Sequence, residues 1–244
     1  MNWFPVEPTL LIIAMGWTAV AASLQGTLGF GFAICSVPVL SLIDPVLAPV
    51  PQLLVGLPLT LSMAIRERKS LDLAGIKWVV GGRIVGALAG LALLAIATQT
   101  VLDVAIASIV VAAVIALVTV PVVVRNPITE SIAGFFSGAS ALISSIGGPP
   151  LAVLYRDAAG GTLRSSLGAI FAIGIVITIG VRALGDQIAA SDLVIAVWLF
   201  PMVLIGIRLS SLWIGRVEGP FLRRGILIVA TVSAIGLFVR AFGH

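Results

Sequence analysis

Long apolar runs separated by short polar stretches make up nearly the whole chain. The runs lie at about 9–43, 47–65, 73–96, 101–123, 128–158, 162–182, 192–214 and 220–241. A helix needs about 20 mostly apolar residues to cross a bilayer. The pattern therefore predicts an all-α polytopic membrane protein, with residues 1–244 forming a single transmembrane domain.

Two of the runs, 9–43 and 128–158, are too long for one crossing, and each is broken near its middle. The first break is GTLGFGF at 26–32, and the second is SSIGGPP at 144–150. Glycine permits turns and close backbone approaches, and proline suits the first turn of a helix. We therefore expect each long run to form a broken re-entrant helical hairpin, with the two tips meeting near the middle of the membrane.

The distribution of charge favours the same arrangement. The 244 residues are 10% charged, with a net charge of +4, and the mean hydropathy is +1.23. If both long runs return to their own side, the lysines and arginines at span ends lie on the cytoplasmic side, except Arg182 and Arg240. With this arrangement we expect both termini to lie outside. We expect the membrane to be a bacterial inner membrane. The alternative is eight simple spans with a poorer charge bias in the second half.

The hairpins also divide the chain into two similar halves. Residues of about 9–123 and 128–241 each contain a hairpin followed by three spans, and they enter the membrane from opposite sides. Inverted repeats with broken helices are typical of secondary transporters. The sequence therefore predicts two inverted repeats.

Several function classes lack the residues that they need. Cys35 is the single cysteine, and the single histidine, His244, is the last residue, so a histidine-based metal site or catalytic triad is excluded. A nucleophile such as Ser145 has no base placed near it. The basic residues are expected to set topology rather than to bind nucleic acid. We therefore expect no enzyme and no cofactor.

Two arginines lie within apolar spans. A buried arginine in a membrane is costly and usually faces the bundle interior or a watery cavity. Arg83 and Arg208 correspond in the two halves when Gly81 is aligned with Gly206, and no Asp or Glu lies deep in any span. Together with helix N-termini at the tips, they predict an anion site. Snorkelling is the alternative, and it is stronger for Arg208.

The two broken segments resemble the TauE/SafE family of sulfite exporters and sulfonate permeases. The residues that carry the resemblance are GFGFAICSVPVL at 29–40 and GFFSGASALISSIGGPPLAVL at 134–154, followed by TLRSSLGAIF at 162–171. The first break departs from the family pattern, because Phe32 or Ala33 stands where a third glycine is usual. The resemblance covers nearly the whole chain. It implies transport of sulfite, thiosulfate or an organosulfonate in either direction, and it carries over to Gly29, Gly31, Pro38, Gly147, Gly148, Pro149 and Arg164.

We therefore predict a secondary transporter of a small sulfur-containing anion that works by alternating access. The alternative is a carrier or channel for another small anion, such as a carboxylate. The expected partners are the anionic substrate and the lipid bilayer, with a homodimer left open. The predicted substrate-binding residues are Gln25, Gly29, Phe30, Gly31, Ser36, Gln52, Arg83, Ser144, Ser145, Gly147, Gly148, Pro149, Arg164 and Arg208, with Ser166 as a further donor.

Overall fold

The computed structural model describes residues 6–158, 160–214 and 219–242, and the described chain consists of helices joined by short connections. Residues 1–5 and 243–244, which carry the predicted orientation of the termini, lie outside the described residues. The helices within the described ranges are α1 Pro8–Leu28, α2 Phe32–Ile43, α3 Val50–Arg66, α4 Ile76–Leu94, α5 Gln99–Thr119, α6 Pro127–Ser144, α7 Gly148–Leu154, α8 Gly160–Leu184, α9 Ala190–Trp213 and α10 Gly219–Phe242.

Seven helical segments of the described chain are long and apolar enough to span a membrane. They correspond to α1, α3, α4, α5, α8, α9 and the greater part of α10, whereas α2 and α7 are too short to cross. The protein is therefore a multi-pass membrane protein, and the predicted all-α class is confirmed.

The first hairpin consists of α1 and α2, which pack against each other across the glycine break. Gly29 ends α1 with φ of +96°, and Gly31 precedes α2 with φ of +119°. Both values lie in the left-handed region, where side chains with a Cβ are strained. The two glycines therefore allow the chain to reverse direction within three residues.

The second hairpin consists of α6 and the short α7. Ser145 ends α6 in the left-handed conformation, and Gly147 precedes α7. The guanidinium of Arg125, just before α6, lies 4.2 Å from the ring centroid of Tyr155, just after α7. The segment therefore enters and leaves at the same end of the bundle, which does not fit a single crossing over 128–158.

The interhelical packing joins the two halves of the chain. Helix α1 packs on α9 and α6 packs on α4, while α3 lies along α8 and α5 along α10. The contact between α4 and α6 is close, because a Cβ at Gly86 would lie 2.0 Å from the carbonyl oxygen of Phe135. Gly86 is therefore a packing residue, as small residues often are between membrane helices.

The connections at one end of the bundle are held by ion pairs. Nη1 of Arg125 lies 2.6 Å from Oδ2 of Asp72, and Arg164 pairs with Glu67. These contacts bring together the loop after α3, the start of α6 and the start of α8. At the other end, Arg240 pairs with Asp103 at 2.7 Å and joins α10 to α5.

Candidate functional site

A cavity of about 60 Å³ lies between the two hairpin tips and helices α3, α4 and α8. About 10–15 Å³ of such space holds one water molecule, so the cavity has room for a small polyatomic ion. Its lining includes nine of the predicted residues: Gln25, Phe30, Gly31, Gln52, Arg83, Ser145, Gly147, Gly148 and Pro149. The fold therefore brings both chain breaks and one intramembrane arginine to one place. Their role in binding stays a prediction.

Arg83 is the one charged side chain in the described lining of this cavity, and only 3% of its surface is exposed. Its Nη1 donates to Oγ of Ser137 at 2.8 Å, and that hydroxyl donates to the carbonyl oxygen of Gly147 at 2.5 Å. The guanidinium lies over Gly174, where a Cβ would be 2.0 Å from Cζ. Its Nε has no hydrogen-bond partner in the described chain. The second tip therefore orients Arg83 through Ser137.

Gln52 has an unusual environment for an amide. The residue lies in the first turn of α3, lines the cavity and is 1% exposed, yet neither Oε1 nor Nε2 has a partner among the described residues. A buried polar group without a partner costs about 1–3 kcal/mol. The partners of this amide must therefore come from water or from a ligand in the cavity.

The amide of Gln25 has a different role. Its Oε1 accepts from the backbone N–H of Phe32 at 2.9 Å, and its Nε2 lies 3.8 Å from Sδ of Met63. Both ends of the amide are therefore used within the protein. Gln25 holds the start of α2 against α1 and α3, so it shapes the cavity rather than offering a free donor to it.

Five predicted residues lie away from the cavity lining: Gly29, Ser36, Ser144, Arg164 and Arg208. Arg164 lies behind the first tip, where its Nε donates to Oε2 of Glu67 at 2.7 Å and its Nη1 to the carbonyl oxygen of Thr27 at 3.4 Å. Gly29 is next to it, since a Cβ there would lie 3.3 Å from Cγ of Arg164. These two residues therefore fix the first tip against the start of α8.

Arg208 is exposed, in contrast to Arg83. Gly206 faces α1, since a Cβ there would lie 2.6 Å from the carbonyl oxygen of Ala19. Two residues further along a helix the side chain has turned by about 200°, so Arg208 faces away from α1. In the first half the glycine that faces α6 is Gly82, not Gly81. The alignment of Arg83 with Arg208 is therefore one residue out of register with the packing.

The serines of the second break belong to the end of α6 rather than to the start of α7. Oγ of Ser144 donates to the carbonyl oxygen of Ser140 at 2.8 Å, and Oγ of Ser145 donates to that of Pro49 at 2.9 Å. The residue that precedes α7 is Gly147, which has no side chain to cap the helix. Neither serine therefore caps α7, because α6 continues to Ser144 and Ser145 ends it.

The two remaining hydroxyls also lie outside the lining. Ser36 is buried on α2, and its Oγ has no partner in the described chain. Oγ of Ser166 accepts from the backbone N–H of Asp72 at 2.9 Å, so it fixes the loop before α4.

Sequence reasoning did not identify two arginines that bind the C-terminal ends of α1 and α6, the first helix of each hairpin. Arg66 donates to the carbonyl oxygen of Gly26 at 2.5 Å, near the end of α1. Arg182, which is 3% exposed, donates to the carbonyls of Leu142 and Ile143 near the end of α6. The last carbonyls of a helix lack intrahelical partners and carry partial negative charge. These arginines therefore stabilise the breaks themselves.

Gly56 and Thr60 also line the cavity, and their spacing from Gln52 in the sequence could have predicted this. Gln52, Gly56 and Thr60 recur at intervals of four along α3, so they share one face, and all of them line the cavity. Ser137 carried no such signal, because its role depends on a contact between α4 and α6.

Comparison with known proteins identifies one family. Neither the curated proteins nor the solved structures contain a significant match to the chain. The model of one family, described as sulfite exporter TauE/SafE, matches residues 14–237, which include all of the described cavity lining. The chain therefore belongs to the sulfite exporter TauE/SafE family.

Proposed function

We propose that the protein is a secondary transporter that moves a small sulfur-containing anion across a bacterial inner membrane by alternating access. Sulfite, thiosulfate and organosulfonates are the candidate substrates, in keeping with the family. The observation that carries the proposal is the cavity at which both hairpin tips, the guanidinium of Arg83 and the unpartnered amide of Gln52 meet. The proposed binding residues are the nine predicted residues that line it.

The charge of Arg83 explains why the guest is an anion. A buried ion is strongly unfavourable unless it is paired, and the described cavity lining contains no carboxylate. An anion of the right size would pair with the guanidinium. The planar, fork-like arrangement of N–H groups matches the oxygens of a sulfite or sulfonate group.

The packing of the helices supports alternating access. The contact of α1 with α9 has a counterpart in that of α6 with α4, and the contact of α2 with α10 has one in that of α7 with α5. The tips follow the same rule, since Ser145 contacts Pro49 before α3 and Gly29 lies beside Arg164 near the start of α8. This reciprocity is what two inverted repeats would produce, and rocking of such repeats exposes a central site to each side in turn.

The test is uptake by the purified protein in proteoliposomes. We expect saturable uptake of sulfite, thiosulfate, taurine or sulfoacetate, measured with and without proton and sodium gradients and against protein-free liposomes. Arg83→Gln, checked for a monodisperse gel-filtration profile, should abolish it. Uptake of acetate or malonate alone would favour the carboxylate alternative, because a guanidinium also pairs with carboxylates. Uptake of none of these anions would contradict the proposal.

A further inference from the structure

We infer that the cavity selects singly charged anions that carry a hydrogen-bond donor, such as hydrogen sulfite or a hydroxyalkanesulfonate, over doubly charged anions such as sulfite and thiosulfate. The inference rests on the proposed function and narrows its substrate class. It comes from two independent features of the lining: its charge and the polarity of Gln52.

The charge of the lining matches one negative charge. Arg83 is the single charged residue of the described lining, and most of the other side chains there are apolar, including Phe30, Phe32 and Phe171. A monoanion beside Arg83 forms a neutral pair. A dianion would leave one uncompensated charge among apolar groups, which is strongly unfavourable. Charge therefore selects against a dianion.

The amide of Gln52 adds a requirement for a donor. Its nitrogen is a donor and its oxygen an acceptor, and neither has a partner in the described chain. An anion that can only accept hydrogen bonds satisfies the nitrogen and leaves the oxygen unpaired. An anion with one O–H or N–H group satisfies both. This argument holds whichever way the amide is turned, since both of its atoms are free.

Gln25, the other glutamine at this cavity, has hydrogen-bond partners within the protein for its amide. Both ends of the Gln25 amide are used inside the protein, by Phe32 and Met63. The two glutamines line the same cavity. The amide of Gln52 is therefore the one available to form hydrogen bonds with a bound anion.

Three sulfonates with the same two-carbon stem separate the two features. Ethanesulfonate is a monoanion without a donor, 2-hydroxyethanesulfonate is a monoanion with one, and sulfoacetate is a dianion at neutral pH. We expect 2-hydroxyethanesulfonate to bind about fivefold more tightly than ethanesulfonate, the effect of one ordinary hydrogen bond. We expect sulfoacetate to bind at least about tenfold more weakly than 2-hydroxyethanesulfonate. Isothermal titration calorimetry of the detergent-solubilised protein measures all three affinities.

Variants of Gln52 assign the donor preference to this amide. Gln52→Leu and Gln52→Met should lose the preference for the hydroxyl, so that 2-hydroxyethanesulfonate and ethanesulfonate bind to each variant with equal affinity. The matched control is Gln187→Leu, far along the chain in the connection after α8, where Nε2 donates to the carbonyl oxygen of Gly185. This variant should keep the preference.

Sulfite itself gives a second readout. At a pH where the dianion prevails, binding of hydrogen sulfite requires uptake of a proton. The binding enthalpy should therefore change between buffers of different ionisation enthalpy by an amount that corresponds to about one proton per ion. Arg83 is the one titratable side chain in the described lining, and it already carries its proton. The proton taken up on binding would therefore be carried by the bound ion.

The outcomes distinguish the two proposals. Equal affinities for the three sulfonates, or sulfite binding without proton uptake, would overturn the selectivity and leave a sulfur-anion transporter standing. Absence of binding by every sulfur anion would overturn the proposed function and the selectivity with it.

Discussion

The guanidinium of Arg125 lies over the ring of Tyr155, and its Nη2 donates to the phenolic oxygen at 3.1 Å. The two residues flank the second hairpin, so the 29 positions between them leave the bundle at the end where they enter it. Residues 122 and 157 should therefore lie on the same face of the membrane.

Cysteine labelling tests this topology. In a Cys35→Ala background, Val122→Cys and Asp157→Cys should react with a membrane-impermeant maleimide from the same side of oriented vesicles. Both native side chains are exposed. Gln187→Cys, after the full-length α8, should react from the other side. Labelling of residues 122 and 157 from opposite sides would exclude a hairpin.

A methyl group at Gly86 should weaken the packing of α4 on α6. Its Cβ would lie 2.0 Å from the carbonyl oxygen of Phe135, so the two backbones would have to move apart. Overpacking of this kind costs about 1–3 kcal/mol. We expect Gly86→Ala to lower the thermal denaturation midpoint in detergent.

Gly81 provides the matched control on the same helix. Among the described residues, no atom of a neighbouring helix lies within 4 Å of a Cβ built there. Because alanine favours helix by up to about 1 kcal/mol over glycine, Gly81→Ala should leave the midpoint unchanged or raise it. Equal effects of the two substitutions would show that α4 does not pack closely on α6.

The second tip should tolerate a methyl group at Gly148 but not a larger side chain. In the described chain, the one atom within 4 Å of a Cβ there is Cζ of Phe171, at 3.6 Å, and Phe171 lines the cavity. Gly148→Ala should therefore transport, and Gly148→Val should fold and fail to transport, because its branched side chain occupies the space of the anion. Wild-type uptake by a monodisperse Gly148→Val protein would contradict a binding role for this tip.

Gly147 should behave differently from its neighbour. A Cβ there would lie 2.9 Å from both the Cβ of Ala141 and the carbonyl oxygen of Ser137. Gly147→Ala should therefore reduce stability by about 1–3 kcal/mol, visible as a lower denaturation midpoint than that of Gly148→Ala.

Acid should weaken the connection between the loop before α4 and the start of α6. The hydrogen bond from Arg125 lowers the pKa of the Asp72 carboxyl, and the backbone N–H of Ala74 lowers it further. A lowered pKa in the folded state means that ionised Asp72 stabilises the fold above its unfolded pKa of about 3.9. This contribution is lost as the pH falls through the lower folded value.

The effect of Asp72 is expected to be small, because its side chain is 35% exposed. Asp72→Asn should denature at a lower temperature than the wild type at pH 6, and the difference should shrink toward pH 3. A constant difference over this range would mean that the charge of Asp72 does not stabilise the fold.

The spans and the hairpin breaks were predictable from the sequence because they depend on local properties. Run length and the glycines at 29 and 31 specify where the chain crosses and where it turns. Each of these features depends on residues that are neighbours in the chain.

The partners of the polar residues were not predictable, because they depend on contacts between distant helices. Arg83 is oriented by Ser137, 54 positions away, and Arg208 is exposed because the contact with α1 has a different register. Gln25 and Gln52 read alike in the sequence. The folded structure shows that Phe32 and Met63 use the amide of Gln25, whereas neither end of the Gln52 amide has a partner in the described chain.

The central claim is that Arg83 balances the charge of a bound anion in the cavity. Calorimetry of 2-hydroxyethanesulfonate and sulfite binding to the wild type, Arg83→Lys, Arg83→Gln and the exposed-loop control Arg68→Gln tests it most directly. Two salt concentrations separate a buried site from screened surface attraction. We expect Arg83→Lys to weaken binding, since a point charge does not reproduce a bidentate contact.

We expect Arg83→Gln to weaken binding by about 2–5 kcal/mol, with little dependence on salt, and Arg68→Gln to bind as the wild type does. Wild-type affinity in a folded Arg83→Gln protein would contradict the claim, because the anion would then be held without the one charge that the described cavity lining contains.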